Sequence, residues 1–182
     1  MSDSTRLYVD EDITLKEIGF EDVKDIFYTI DSERDYLSEW LPFVELTTDI
    51  SYTRAFVSNY LNAEIKDLTC AIFYQQKFVG LAGLKDTDFD NMKTEIGYWL
   101  SESYQHKGII TRSCQKLIEY AFEELKMNRI QLKAATGNIK SQAVAGRLGF
   151  IREGIERDGE LHSRGFVDLV VFALLKRDWL TR

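Results

Sequence analysis

The stretch Thr94–Arg112, TEIGYWLSESYQHKGIITR, constrains this chain more than any other, because its hydrophobic period changes in mid-course. Glu95, Gly97 and Trp99 alternate with Ile96, Tyr98 and Leu100, which is the period of a half-buried strand, and after Gly108 the spacing becomes helical. No Asp or Glu occurs from Ser103 to Ile118, although the first turn of a helix attracts acids; His106, Lys107, Arg112 and Lys116 fill that run. Such a turn suits an anion. The first N–H groups of a helix lack intrahelical partners and carry the positive end of its dipole, so a diphosphate can lie across Gln105 to Thr111, with Gly108 permitting close approach. A strand, a loop and a helix with an ordinary solvated basic face explain the same residue types equally well. Neither GxGxxG nor GxxxxGK[ST] occurs, which argues against dinucleotide and nucleoside-triphosphate loops.

With 182 residues, 45% hydrophobic and 29% charged, the chain is expected to form one domain spanning residues 1–182. A net charge of -7 argues against general nucleic-acid binding, which draws on basic surface. An acidic body with one basic turn suits a basic acceptor and an anionic cofactor, although many unspecialised proteins are equally acidic. Cys70 and Cys114 lack CxxC spacing and the chain has two His, so no zinc site is expected. The run Asp86–Asn91, DTDFDN, lacks the glycine and closing glutamate of a calcium loop and reads as a solvated turn. No apolar run reaches membrane-spanning length, and the N-terminus MSDSTRLYVDED has no signal-peptide pattern; the expectation is a cytoplasmic protein with reduced thiols.

Taken in order, Ile13–Ile18 predicts a strand, and Glu21 and Asp22 open a helix with Val23, Ile26, Phe27 and Ile30 on one face. A second short helix is expected over Ser32–Trp40. It ends at Trp40-Leu41-Pro42-Phe43, a turn that is either a core plug or the wall of a pocket. Thr48 or Asp49 can cap a further helix whose apolar stripe is Tyr52, Phe56, Tyr60 and Ile65. Thr69–Gln75 and Lys77–Leu84 read as a hairpin preceding the strand that holds Glu95. The helix after Gly108 buries Ile110, Cys114, Leu117, Ile118, Ala121 and Leu125 and ends at Met127-Asn128. Ile130, Leu132 and Ala134 then mark a strand that a helical crossover makes parallel to the Glu95 strand. Asn138 caps a short helix with small residues Ala143, Ala145 and Gly146, closed by Gly149. Phe150–Glu156 and Phe166–Leu175 form a last antiparallel pair turning at Asp158-Gly159.

This order predicts an α+β, or mixed α/β, fold around a sheet. The hexapeptide Gln105-His106-Lys107-Gly108-Ile109-Ile110 resembles motif A, [QR]xxGx[GA], of the GCN5-related N-acetyltransferases (GNAT). Ile110 departs from the family's Gly or Ala and would either displace a pyrophosphate or pack outward at the second turn. Trp40-Leu41-Pro42, Glu95–Leu100, Asn138–Ser141 and Leu148-Gly149-Phe150 sharpen the resemblance toward ribosomal-protein N-acetyltransferases of the RimJ/RimL type. It covers nearly the whole chain.

The resemblance implies a central mixed sheet of about seven strands flanked by helices, with one parallel pair splayed apart. It also implies direct acetyl transfer from acetyl-CoA to a primary amine, with no metal. By that resemblance Gly97, Trp99, Leu100 and Ser101 offer backbone groups to the pantetheine and thioester. Gln105, His106, Lys107, Gly108, Ile109, Ile110 and Thr111 hold the diphosphate, Asn138 holds the pantetheine amide or orients a water, and Ser141 protonates the leaving thiolate. Glu95 is the first candidate base, with Glu45 and Glu17 weaker. Ordinary chemistry would also account for Glu95 as a polar strand residue, Asn138 as a helix cap and Ser141 as a first-turn residue. His162 and Asp168, near the last strands, receive no role.

Three functions remain open: acetylation of a protein N-terminus, such as that of a ribosomal protein; acetylation of a polyamine or aminoglycoside; and CoA sensing without turnover. Glu33, Asp35, Glu39 and Glu45 would suit a cationic acceptor in either enzyme, and the aromatic residues Trp40, Phe43 and Phe89 leave room for homo-oligomers.

Overall fold

The structure is a computed structural model and describes residues 4–64 and 67–181. Strands β1 (Arg6–Tyr8) and β2 (Ile13–Glu17) form a hairpin, followed by helices α1 (Val23–Ser32), α2 (Arg34–Leu37), α3 (Phe43–Leu46) and α4 (Ile50–Asn62). The antiparallel strands β3 (Leu68–Tyr74), β4 (Lys77–Asp88) and β5 (Lys93–Leu100) come next. They lead to α5 (Ile109–Glu123), β6 (Arg129–Ala135), α6 (Ile139–Arg147), β7 (Ile151–His162), β8 (Gly165–Leu175) and α7 (Lys176–Trp179). The strands make one mixed sheet in the order β1-β2-β3-β4-β5-β6-β8-β7, in which β5 and β6 run parallel. The α+β architecture thus has eight strands, the seven expected and β1 at the edge.

Alternation along the central strands divides the core between the two faces of the sheet. Ile72, Leu84, Ile96 and Leu132 face α5, which buries Ile110, Cys114, Leu117, Ile118 and Phe122 against them. Ala71, Leu81 and Trp99 point the other way and meet Ile26 and Ile30 of α1 and Val57 of α4. The β3–β4 hairpin turns through Gln75 and Gln76, both at positive φ, the twist a two-residue hairpin requires even without Asn-Gly.

Four expectations are corrected. Asp158-Gly159 is not the last hairpin turn but an irregularity within β7, where register shifts between Glu156 and Glu160. The Asp158 N–H donates to Asp168 Oδ1 at 2.9 Å, so the strand continues to a turn at Ser163-Arg164. Asp86–Asp88 belong to β4, and the expected solvated turn shrinks to the residues after them. The proposed helix over Ser32–Trp40 is divided between the end of α1 and the single turn of α2, and Phe43–Leu46 forms a further turn beyond the proline. In α4, capped by Asp49 through Ser51 N–H at 2.8 Å, the buried positions are Thr53 and Val57, while Tyr52 and Phe56 are exposed. Ile65, assigned to the same stripe, lies outside the described residues.

Gly80 sits where β4 crosses the end of β5: a Cβ there would lie 2.2 Å from the Trp99 carbonyl oxygen. Gly80→Ala must therefore push β5 aside. It is expected to lower stability by about 1–3 kcal/mol, read from the urea midpoint at constant m-value.

Candidate active site

The β5–β6 ladder holds for three residue pairs, Lys93 with Arg129, Thr94 with Ile130 and Glu95 with Gln131, and then the strands part. Each continues on its outer neighbour, β5 on β4 up to Gly80–Leu100 and β6 on β8 up to Ala135–Leu169. The wedge between them is therefore edged by main chain from Ile96 to Leu100 and from Leu132 to Ala135. Parallel strands open ligand clefts at their carboxyl ends, and here α5 and α6 both begin at that end. Tyr98 spans the wedge, its hydroxyl 2.8 Å from Ser141 Oγ in the first turn of α6. Burial pushes the Tyr98 phenol well above its ordinary pKa and keeps it protonated.

At the mouth of the wedge Gly108 adopts φ +69°, a left-handed conformation, and caps α5. The first bond within α5 runs from the Arg112 N–H to the Gly108 carbonyl, so the N–H groups of Ile109, Ile110 and Thr111 project from the open helix end. Cations gather around it. Lys107 lies over the rings of Tyr104 and Tyr74, 4.9 and 5.4 Å from their centroids. Arg112 donates to Asp10 and to the Lys107 carbonyl, and Arg147 of α6 donates to Thr111 Oγ1 at 3.3 Å. Gln105 is held between Tyr36 and Lys140, its carbonyl oxygen accepting from Lys140 Nζ at 2.9 Å. Ile110 is 8% exposed and packed in the core, so the expected alternative of outward packing is corrected.

Glu95, 7% exposed, lies on the sheet face opposite α5. Its Oε1 is 2.9 Å from Lys85 Nζ on β4, its Oε2 3.9 Å from Lys133 Nζ on β6, and Lys133 also bonds Glu156 at 2.9 Å. Those two bonds to carboxylates raise the Lys133 pKa, with Glu156 the largest cause. The stem of Lys85 crosses Gly97, where a Cβ would meet its Cε at 3.5 Å.

Beside this charge cluster a cavity of about 480 Å³ opens between α3, α4 and the sheet. Leu81, Gly83 and Trp99 form its floor, and Phe43, Leu46, Tyr52 and Phe56 its exposed rim. Arg34 fixes α3 there by donating to the carbonyls of Val44, at 2.8 Å, and Thr47. The Trp40-Leu41-Pro42 turn packs as a plug, and none of its three residues lines the cavity. Leu41 packs on the α1–α4 core and Trp40 lies against Gly137 in the β6–α6 loop, 3.4 Å from the position of a Cβ.

The structure brings Glu95, Gly97, Trp99, Leu100, Ser141 and residues Gln105 to Thr111 around one wedge. Ser101 lies at its rim, where its hydroxyl and the Glu102 N–H both donate to Glu33. Asn138 caps α6 by accepting from Ser141 N–H at 3.0 Å. Glu17 accepts from Thr5 N–H and Tyr60 O–H, each at 2.8 Å, Glu45 is exposed on α3, and His162 pairs with Glu160 at 2.7 Å. Sequence reasoning missed Tyr98, Lys85, Arg147 and the cavity residues Leu46 and Thr53. Alternation already put Tyr98 on the opposite face from Glu95, whereas Lys85 depended on cross-strand register.

Residues 12–151 match the family described as acetyltransferase (GNAT) domain. YdaF of Bacillus subtilis (strain 168), named provisionally as a ribosomal N-acetyltransferase, is 37% identical over 94% of this chain and 95% of its own length. The ribosomal-protein-serine acetyltransferase of Escherichia coli (strain K12) is 28% identical over 91% and 93% of the two chains. Among solved structures, the microcin C7 self immunity acetyltransferase MccE in complex with acetyl-CoA and AMP superposes with a TM-score of 0.86. It is 27% identical and is matched over 92% of this chain and 94% of that one.

The left-handed Gly108 at the open end of α5 generates a prediction. Gly108→Val should cost about 1–2 kcal/mol of stability through backbone strain, and the loss should appear in thermal unfolding of the protein alone.

Proposed function

Because the chain belongs to the GNAT acetyltransferases, with the family match spanning residues 12–151, we propose that it acetylates the α-amino group of a protein N-terminus. Ribosomal proteins are the acceptor class, as the names of two full-length relatives suggest, and the working compartment is the cytoplasm. The observation that carries the reading is the parallel pair that parts after Glu95–Gln131 with two helix N-termini at its mouth. Acetyl-CoA supplies the activated acyl group and the thiolate leaving group.

The residues present fit that molecule. The free edges Ile96–Leu100 and Leu132–Ala135 can pair with the amides of a pantetheine arm as a strand would. The N–H groups of Ile109 to Thr111, with Lys107, Arg112 and Arg147 nearby, suit a pyrophosphate. An N–H of the Ile96–Leu100 edge aimed at the thioester oxygen is worth about 3–4 kcal/mol in acyl-transfer sites, whereas the Ser101 N–H is already donated to the Val79 carbonyl at 2.8 Å.

An α-amine of pKa about 7.8 is roughly 14% neutral at pH 7, while a lysine near 10.4 is about 0.04% neutral, a difference of about 3.5 kcal/mol in deprotonation cost. The N-terminus is the easier acceptor. Glu95 takes the amine's proton directly or through water once Lys85 gives up Oε1, and the pair Tyr98–Ser141 passes a proton to the leaving thiolate. A polyamine or aminoglycoside fits the cavity less well. Among the described residues that line it, most are apolar and Lys85 alone is charged, so no acid in the lining pairs with the additional ammonium groups of a polycation.

Intact-mass analysis of ribosomal proteins, basic peptides and polyamines after incubation with acetyl-CoA tests the reading. Acetyl addition at an N-terminal residue is expected. Addition confined to small amines, or none despite CoA binding, would sink it. Glu95→Gln should lower the rate and shift the onset of activity to higher pH, checked by the pH dependence of kcat/KM. Lys107→Glu should weaken CoA binding roughly three- to thirtyfold, more at low salt, in a calorimetric titration.

A further inference from the structure

Thr53 is 3% exposed, lines the cavity beside β5, and has a hydroxyl with no hydrogen-bond partner. A buried hydroxyl left unpaired costs about 1–3 kcal/mol, which a bound carbonyl would recover. The cavity's volume lies within the roughly 300–1,000 Å³ of small-ligand sites, and its rim exposes Leu46 (68%) and Phe56 (43%). An apolar wall of this kind is complementary to an apolar side chain. The helical layer around it carries nine acids against three bases between Glu21 and Arg54, a field that draws a positively charged chain end toward the cavity. A peptide N-terminus joins these features in one molecule: an ammonium, an apolar side chain and a main-chain carbonyl within two residues. A polyamine carries neither of the last two.

We propose that this cavity selects acceptors with an apolar side chain at the first or second residue, and that the Thr53 hydroxyl donates to a main-chain carbonyl of the same segment. The inference rests on the N-terminal acetylation reading. Cavity and chemistry are adjoining: Gly97 and Trp99 belong both to the cavity floor and to the strand edge of the wedge. An acceptor seated by its side chain therefore presents its amine beside Gly97 and Glu95.

The test uses the whole protein and basic peptides identical except at residues one and two, carrying Leu, Ala, Asp or Lys at each in turn. Two readouts are taken. One is kcat/KM with acetyl-CoA; the other is the anisotropy of the C-terminally labelled peptides with CoA in its place, so that binding is seen without transfer. Leucine at one of the positions is expected to exceed aspartate about tenfold or more in both. Leu46→Asp should erase that preference. Thr53→Val should raise KM for every peptide while leaving the melting temperature no lower, because an unpaired hydroxyl has been replaced by a methyl group.

Equal kcat/KM and equal anisotropy across the panel, with transfer proceeding, would overturn the inference and leave N-terminal acetylation standing. Leucine-selective binding without transfer to any peptide would support the cavity assignment and remove the catalytic reading. Neither binding nor transfer would overturn both.

Discussion

The parting of β5 from β6 is the constraint on which the rest depends. A sheet interior normally pairs every main-chain group, and leaving buried N–H and C=O groups without partners costs free energy comparable to lost hydrogen bonds. The chain confines that cost to one wedge by holding each strand on its far side, β5 on β4 and β6 on β8. The core then closes behind it: Ile96 and Leu132, at the point of divergence, pack into the same cluster as Leu117 and Ile118 of α5. Tyr98 and Ser141 bridge the gap through the Tyr98 hydroxyl, which meets both the hydroxyl and the carbonyl of Ser141.

Charge is distributed with similar economy. The acidic body would repel a polyanion at most of its surface, but the open end of α5 has no acid in its first turn and collects cations from two helices. Arg112 is balanced by Asp10 from the β1–β2 turn, and Lys107 rests on two aromatic rings rather than on a carboxylate. Its charge is thus held near the helix end at little desolvation cost, and stays available to an anion. On the opposite sheet face the order is reversed, with Glu95 enclosed by Lys85 and Lys133.

Much of this was legible in the sequence. The period change across Thr94–Arg112 located β5, the turn and α5, and crossover logic gave the parallel β5–β6 pair from Ile130, Leu132 and Ala134. Local rules failed where two elements decide jointly. Tyr52 and Phe56 have helical spacing and looked like core, but α4 packs through Thr53 and Val57 and leaves the aromatics to line a cavity. The Asp158-Gly159 pair has turn chemistry, yet Asp168 on the facing strand satisfies Asp158 and draws the segment into β7. Lys85 could not be assigned to Glu95 without the β4–β5 register, which places them opposite one another.

The two faces of β5 separate tasks that would interfere if they shared one. Glu95, Gly97 and Trp99 lie on the sheet face that carries the cavity, and Tyr98 sends its hydroxyl to Ser141 of α6. In the proposed reaction, a proton removed from an amine on the first side and a proton delivered to a thiolate on the second do not compete for one group. The open wedge connects the two sides where the β5–β6 hydrogen-bond ladder ends after Glu95–Gln131. In the proposed reaction the break in the ladder serves both as a slot for the arm of the acyl donor and as the channel by which the donor's reactive end meets the acceptor. A one-residue slip of β5 would exchange the two faces and bury the carboxylate against α5. The β4–β5 ladder that sets this register, with Gly80 packed close under the Trp99 carbonyl, therefore bears on chemistry as much as on stability.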